Sequence, residues 1–256
     1  MNRDGGSLVR DVLVGLLVGL FSGLLGVGGG IILVPLLVLL MHKGQKEAQA
    51  TSLVVVALGA TSGALTYGFS DFVHWESLLF LIPGGLVGTW IGTFLVKRVE
   101  ARWLQLLFSV LLVATAFRIG LDSWISPTNF VEGLTMASAI GFAASGVAMG
   151  FLSALLGVGG GIIVIPLLVA LFGFPQQLAA GTSLVAMVPL ALFGALRLSR
   201  SGFTQWFQGL RLGLASIPGA VVGALFALSA EAIVIQVAFA ILLLVAAVSM
   251  ARKALK

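Results

Sequence analysis

The stretch Gly26-Val27-Gly28-Gly29-Gly30-Ile31-Ile32-Leu33-Val34-Pro35-Leu36-Leu37 decides the fold, because it returns as Gly157-Val158-Gly159-Gly160-Gly161-Ile162-Ile163-Val164-Ile165-Pro166-Leu167-Leu168. At the same offset, Gly15, Gly19 and Ser22 recur as Gly146, Gly150 and Ser153, and Thr51-Ser52-Leu53-Val54 recurs as Thr182-Ser183-Leu184-Val185. A correspondence without insertion over this distance marks an internal duplication. Each half carries the same unit.

The solvent for that unit is lipid. Hydrophobic residues make up 59% and charged residues 9% of the chain, with mean hydropathy +1.17, whereas a soluble domain carries about 25% charged residues. Apolar runs long enough to span a bilayer follow one another from end to end. The net charge of +5 does not point to nucleic acid, since Lys and Arg cluster in short loops and at the termini, where they set membrane orientation. The chain has no Cys and only two isolated His, His42 and His74. That excludes a disulfide framework and thiol catalysis, and it predicts no metal and no cofactor. Residues 1–10 before an apolar run resemble a secretion signal, but the run continues to Leu40 without a small-residue cleavage site, so it is read as a mature membrane segment.

Windows of about 20 apolar residues predict full helices at 8–25, 48–68, 76–96 and 103–121 in the first half, and at 134–156, 179–198, 207–228 and 233–250 in the second. Between the first two of each half lies a shorter apolar segment, 31–41 or 162–173. At 1.5 Å per residue it reaches only about half of a 30 Å hydrocarbon core. Three consecutive glycines precede each segment, and each glycine costs about 1 kcal/mol in a helix relative to Ala, so the chain is predicted to break there. Pro35 and Pro166 are expected near the half-helix starts, where a missing N–H costs little.

Charge decides whether the half-helix continues the crossing or folds back. With a returning hairpin and an inner N-terminus, the loop clusters Lys43/Lys46, Lys97/Arg98/Arg102, Arg197/Arg200 and Arg252/Lys253/Lys256 all fall on the cytoplasmic side, as the positive-inside rule requires. Continuous crossing puts Lys43 and Lys46 outside. The expected fold is therefore an all-α polytopic membrane protein of two inverted repeats, each a glycine-broken helix and half-helix hairpin followed by three transmembrane helices. It forms one transmembrane domain over residues 1–256, with repeats 8–121 and 134–252.

Gly15/Gly19/Gly23, Gly84/Gly88/Gly92 and Gly219/Gly223/Ala227 stand at four-residue spacing and read as helix-packing faces. The triple glycines differ, because contiguous glycines mark no single face. A phosphate loop or dinucleotide fingerprint needs a preceding strand, which is absent. Non-helical backbone at membrane depth faces protein or a water-filled cavity, and a half-helix starting there directs free N–H groups and a positive dipole end into that space. An anion site at Gly28, Gly29, Gly30 and Ile31 with Gly159, Gly160, Gly161 and Ile162 is the functional reading. A purely structural re-entrant hairpin is the alternative.

The doubled G-V-G-G-G-I-I-x-x-P-L-L with its downstream T-S-L-V resembles the sulfite exporter TauE/SafE family of bacterial membrane transporters, over essentially the whole chain. The resemblance implies transport of sulfite, organosulfonates or related small sulfur anions. One departure is Gly181 where the first repeat has Ala50.

Thr51, Ser52, Thr182 and Ser183 follow the half-helices and either donate hydroxyls to an anion or bond back to helix carbonyls. Arg118, Arg197 and Arg211 lie near helix ends and suit snorkelling to the interface. Arg211, between Trp206 and Pro218, is the one placed to hold an anion at the cytoplasmic mouth. Trp75, Trp103, Trp124 and Trp206 fall at span ends as interfacial residues, and Trp90 lies mid-span as packing. No Asp or Glu falls deep within a span, which argues against a carboxylate proton relay and, with an anion leaving a negative interior, favours export. The expected protein is a multi-pass inner-membrane transporter with cytoplasmic termini, a small anionic substrate, lipid around it, no nucleic acid and scope for a homo-oligomer. The competing class is a membrane scaffold or enzyme subunit, against which stands the lack of a paired acid, base or nucleophile.

Overall fold

Long apolar runs without charge become helices here, because a backbone in lipid must satisfy its own N–H and C=O groups. The computed structural model describes residues 3–106, 109–110, 113, 135–229, 244–245, 247–249, 251–252 and 254. Among them the elements are α1 (Arg3–Leu25), α2 (Gly30–Leu39), α3 (Gln45–Phe69), α4 (Trp75–Arg98), α5 (Met136–Leu156), α6 (Gly161–Phe172), α7 (Gln176–Ser199) and α8 (Trp206–Ser229), with no strand. Among the described residues, six helices are long and apolar enough to cross a membrane. The two short ones, α2 and α6, are the expected half-helices. Of the expected spans 103–121 and 233–250, residues 103–106, 109–110, 113, 244–245 and 247–249 are described and helical. Most of both spans, with Arg118, Trp124, Lys253, Lys256 and the link between the halves, lies outside the described residues.

The glycine ladders set which helices touch. Gly15, Gly19 and Gly23 of α1 lie against Ala215, Ser216 and Ala220 of α8, while Gly219 and Gly223 lie against Leu16 and Leu20. The counterpart contact joins α4 to α5, with Gly84, Gly88 and Gly92 on Ala143, Val147 and Phe151. A Cβ at Gly19 would overlap the Ser216 carbonyl, and one at Gly88 the Val147 carbonyl, so the backbones themselves are in contact. In lipid, where no hydrophobic force presses helices together, this close approach supplies the packing attraction.

Residue numbers rise together across these contacts, so α1 and α8 run parallel, as do α4 and α5. Leu58 against Gly213 and Ser62 bonded to the Ile217 carbonyl make α3 parallel to α8. Gly85 against Leu190 and Arg197 bonded to Thr93 make α4 parallel to α7. At the centre α3 and α7 pass antiparallel, with Leu53 at Gly194, Leu184 at Gly63 and Tyr67 at Gly181. Helices α1, α3 and α8 therefore point one way, and α4, α5 and α7 the other. Because α1 and α3 share a direction, α2 returns between them.

Burial follows the same plan. Of the ten residues of α2, all but Leu36 and Leu39 are buried, as expected for an apolar helix enclosed by protein on nearly every side. The outer faces of the long helices instead expose Leu13, Leu79, Leu214 and Val222, at 61%, 68%, 60% and 56%, an apolar surface suited to lipid. Trp90, expected as packing, is 53% exposed on that outer face, beneath the Arg197 guanidinium at 5.7 Å. The proline expectation also needs correction. Pro35 and Pro166 stand inside α2 and α6, five residues after Gly30 and Gly161. Each therefore removes the bond that the carbonyl of Ile31 or Ile162 would accept.

Replacing Gly19 or Gly88 by Leu is expected to abolish recovery of folded protein after detergent extraction, because a backbone carbonyl occupies the space. Gly68, where a Cβ would meet nothing within 4 Å, is the control: Gly68→Ala should leave the unfolding midpoint unchanged or raise stability by up to about 1 kcal/mol.

Candidate functional site

The glycines of the two breaks serve two separate requirements. Gly28, Gly29, Gly159 and Gly160 have φ of 81°, 63°, 89° and 85°, a left-handed backbone that turns the chain back sharply and that side chains disfavour. Gly30 and Gly161 are needed for close approach: a Cβ at Gly30 would overlap the Gly157 carbonyl, and one at Gly161 would sit 2.7 Å from the Gly26 carbonyl. Each break thus lies against the other. Between them stand Val56 and Met187, for a Cβ at Gly28 would lie 2.6 Å from Met187 Sδ and 3.1 Å from Val56, and one at Gly159 would lie 2.7 Å from both.

The half-helices start at this meeting point. The Gly29 carbonyl accepts from the N–H groups of Ile32 and Leu33, and the Gly160 carbonyl from those of Ile163 and Val164. The N–H groups of Gly28, Gly29 and Ile31, and of Gly159, Gly160, Gly161 and Ile162, make no hydrogen bond among the described residues. They are the orphan donors of a helix N-terminus, and all these residues are buried. Two positive helix ends therefore converge in one enclosed place.

Hydroxyls on α3 and α7 hold the breaks together reciprocally. Ser52 Oγ donates to the Gly157 carbonyl at 2.5 Å and Ser183 Oγ to the Gly26 carbonyl at 3.1 Å. Ser52 also reaches the Gln49 carbonyl of its own helix at 2.9 Å. Thr51 Oγ1 accepts from the Gln205 N–H at 3.1 Å, and Thr182 Oγ1 from the His74 N–H at 2.9 Å. These four side chains lie at or beside the breaks, and each is bonded within the protein. Arg211 is elsewhere: it is exposed on α8 with its guanidinium 4.0 Å from the Phe207 ring centroid.

Other polar groups were not singled out by sequence. Ser22 and Ser153, which correspond across the repeat, have buried Oγ atoms with no hydrogen-bond partner among the described residues. Ser22 Cβ lies 3.3 Å from where a Gly29 Cβ would be, and the Ser153 carbonyl accepts from the Gly157 N–H at 2.8 Å. Both were visible as repeat-matched polar residues one turn before each break. The amides of Gln45 and Gln49 and Oδ1 of Asp11 are likewise buried without a hydrogen-bond partner among the described residues. Asp11, one turn inside the first span, is only 4% exposed, so a carboxylate does penetrate that helix. Arg10 lies 3.7 Å from it.

The two ends of the bundle differ chemically. At the end where α1 and α3 begin, Lys43 Nζ donates to Gln205 Oε1 at 2.6 Å, and Gln205 Nε2 reaches Glu47 at 3.4 Å. The repeat counterparts of Asp11, Met41, Lys43 and Gln205 are Phe142, Phe172, Phe174 and His74. Phe142 stacks on Phe172 with centroids 4.2 Å apart, and Phe174 packs on His74 at 5.0 Å. One end is polar and the other is aromatic.

The family model described as "Sulfite exporter TauE/SafE" matches residues 2–119 and 142–256. The "probable membrane transporter protein YunE" of Bacillus subtilis is 28% identical over 239 residues, covering 85% of this chain and 86% of that protein. A "probable membrane transporter protein" of Methanocaldococcus jannaschii is 30% identical over 220 residues, covering 84% and 80%. Another of that description from Xylella fastidiosa is 26% identical over 222 residues, covering 86% and 85%.

The threonine bonds generate a stability prediction. Thr51→Ala and Thr182→Ala each remove the acceptor of a loop N–H and should destabilise by about 1 kcal/mol or more, whereas Thr51→Ser keeps the acceptor and should change little. Thermal unfolding of the detergent-solubilised protein checks this.

Proposed function

The chain belongs to the sulfite exporter TauE/SafE family of membrane transporters, and on that premise we propose that it carries small sulfur oxyanions, sulfite or organosulfonates, by alternating access around the two glycine breaks. The observation that carries the reading is the convergence of two half-helix N-termini. Among the described residues the N–H groups of Gly28, Gly29 and Ile31, and of Gly159, Gly160, Gly161 and Ile162, are uncommitted, and the hydroxyls of Ser22 and Ser153, one turn before the breaks, have no partner. Such a place favours an anion with several acceptor oxygens. It does so without a full positive charge, so binding stays weak enough to release.

The repeats are inverted in this reading. Support comes from the helix directions: α1, α3 and α4 oppose their repeat counterparts α5, α7 and α8. Loop charge puts Lys43, Lys46 and both termini on the cytoplasmic side of the bacterial inner membrane. Export is the direction the membrane potential favours, since an anion leaving a negative interior gains about 2.3 kcal/mol per charge per 100 mV.

In sealed vesicles, flux of sulfite or of a small sulfonate should depend on this protein. Absence of flux across a panel of sulfur anions would defeat the reading in favour of a scaffold. Gly28→Ala and Gly159→Ala place a methyl between the breaks, against the yielding Met187 side chain; transport should fall more than about tenfold while the protein still inserts, because close approach to the N–H groups is blocked. For topology, the cysteine-free sequence gives a clean background: Lys43→Cys should be labelled only from the cytoplasm and Gln176→Cys only from outside. Labelling of both from one side would rule out inverted repeats.

A further inference from the structure

Helix α3 presents one stripe to the breaks, and the stripe has no equal in the other half. Val56 lies against Gly28 and Gly159, Ser52 bonds the Gly157 carbonyl, and the Gln49 Cα lies 2.6 Å from where a Gly157 Cβ would be. Gln45 stands one turn before Gln49 on the same face, since residues four apart align along a helix. The next polar groups outward are Lys43, Glu47 and Gln205. The counterparts on α7 are Met187, Ser183, Ala180 and Gln176. Ala180 packs on Gly26, and Gln176 is exposed. The two halves therefore match at the serine level and diverge one turn further out.

Gln49 is 0% exposed and Gln45 3%, and neither amide has a hydrogen-bond partner among the described residues. A buried, unpaired amide destabilises a fold, and a matched apolar residue would remove that penalty. Gln49 also shares its locus with a positive helix end, because the Gly157 that its Cα packs on is the residue Gly30 touches at the start of α2.

We propose that Gln49 is a substrate-binding residue whose side-chain NH2 donates to an oxygen of the transported oxyanion beside the N-terminus of α2, with Gln45 the preceding contact on the route from the polar end. The site is then one-sided, since Gln49 and Gln45 both come from the first half and their counterparts Ala180 and Gln176 offer no buried amide. This rests on the oxyanion-transport reading above. The amide is suited to the task because it adds donors without adding charge, holding the anion through geometry and letting it leave.

Gln49→Met keeps the shape and helix propensity but removes both amide groups. The test is binding of sulfite, thiosulfate, a two-carbon sulfonate, sulfate and phosphate to purified protein by calorimetry, alongside the ligand-free unfolding midpoint. Gln49→Met should unfold at a higher temperature than wild type and bind the preferred anion about ten- to a hundredfold more weakly. Gln176→Met, the exposed counterpart, should change neither. If Gln49→Met binds as wild type does, or lowers the unfolding midpoint, the amide is not a ligand and the proposal falls while anion transport stands. Should wild type bind only phosphate, the sulfur reading falls and the Gln49→Met comparison decides the present one with that anion. Binding of no oxyanion by wild type overturns both.

Discussion

Two backbone segments that no other residue type would allow to meet hold this molecule together. Each glycine break is clasped from the opposite half, by Ser52 on the Gly157 carbonyl and by Ser183 on the Gly26 carbonyl, while Gly30 and Gly161 let the segments press together. An interrupted helix inside a bilayer leaves carbonyls that water cannot reach, and an unpaired one costs several kcal/mol. The reciprocal clasp satisfies one on each side using a side chain from the other half. Neither half is complete without its partner, which explains why the duplicated motif includes the serine as well as the glycines.

The clasp also constrains what else can vary. Once the breaks are pinned at Val56 and Met187, α3 and α7 must cross there, and α1 and α4 are left to find partners in the other half. They do so through small residues at four-residue spacing. Seen this way the ladders and the triple glycines answer different demands, close parallel packing in one case and a reversed chain in the other.

Much of this was legible in sequence. Apolar run lengths predicted eight described helices, the contiguous glycines the breaks, and the ladders the packing faces. The proline positions were legible too: counted from the expected onsets at Ile31 and Ile162, Pro35 and Pro166 already fall past the first turn, where a missing N–H is no longer free. Gln45 and Gln49 escaped notice for a different reason. A Gln near a charged loop looks solvated, and only tertiary burial shows that its amide has nothing to bond. Asp11 is similar, since one turn inside a helix separates a surface carboxylate from a buried one, and sequence does not reveal which neighbour covers it. Arg211 had the opposite fate: its sequence neighbours suggested depth, yet its side chain lies outward over Phe207.

The unequal ends bear on how such a chain could have arisen. Two separate half-length polypeptides pairing head to tail would have identical surfaces at both ends, because any substitution at one would appear at the other. Joining them in one chain removes that restriction. The clasping serines and the glycines they hold stayed the same in both copies, while Asp11, Lys43 and Gln205 parted from Phe142, Phe174 and His74. Covalent fusion is thus what permits stacked rings at one end and a bonded Lys43, Gln205 and Glu47 cluster at the other, a polarity that a symmetric pair could not possess.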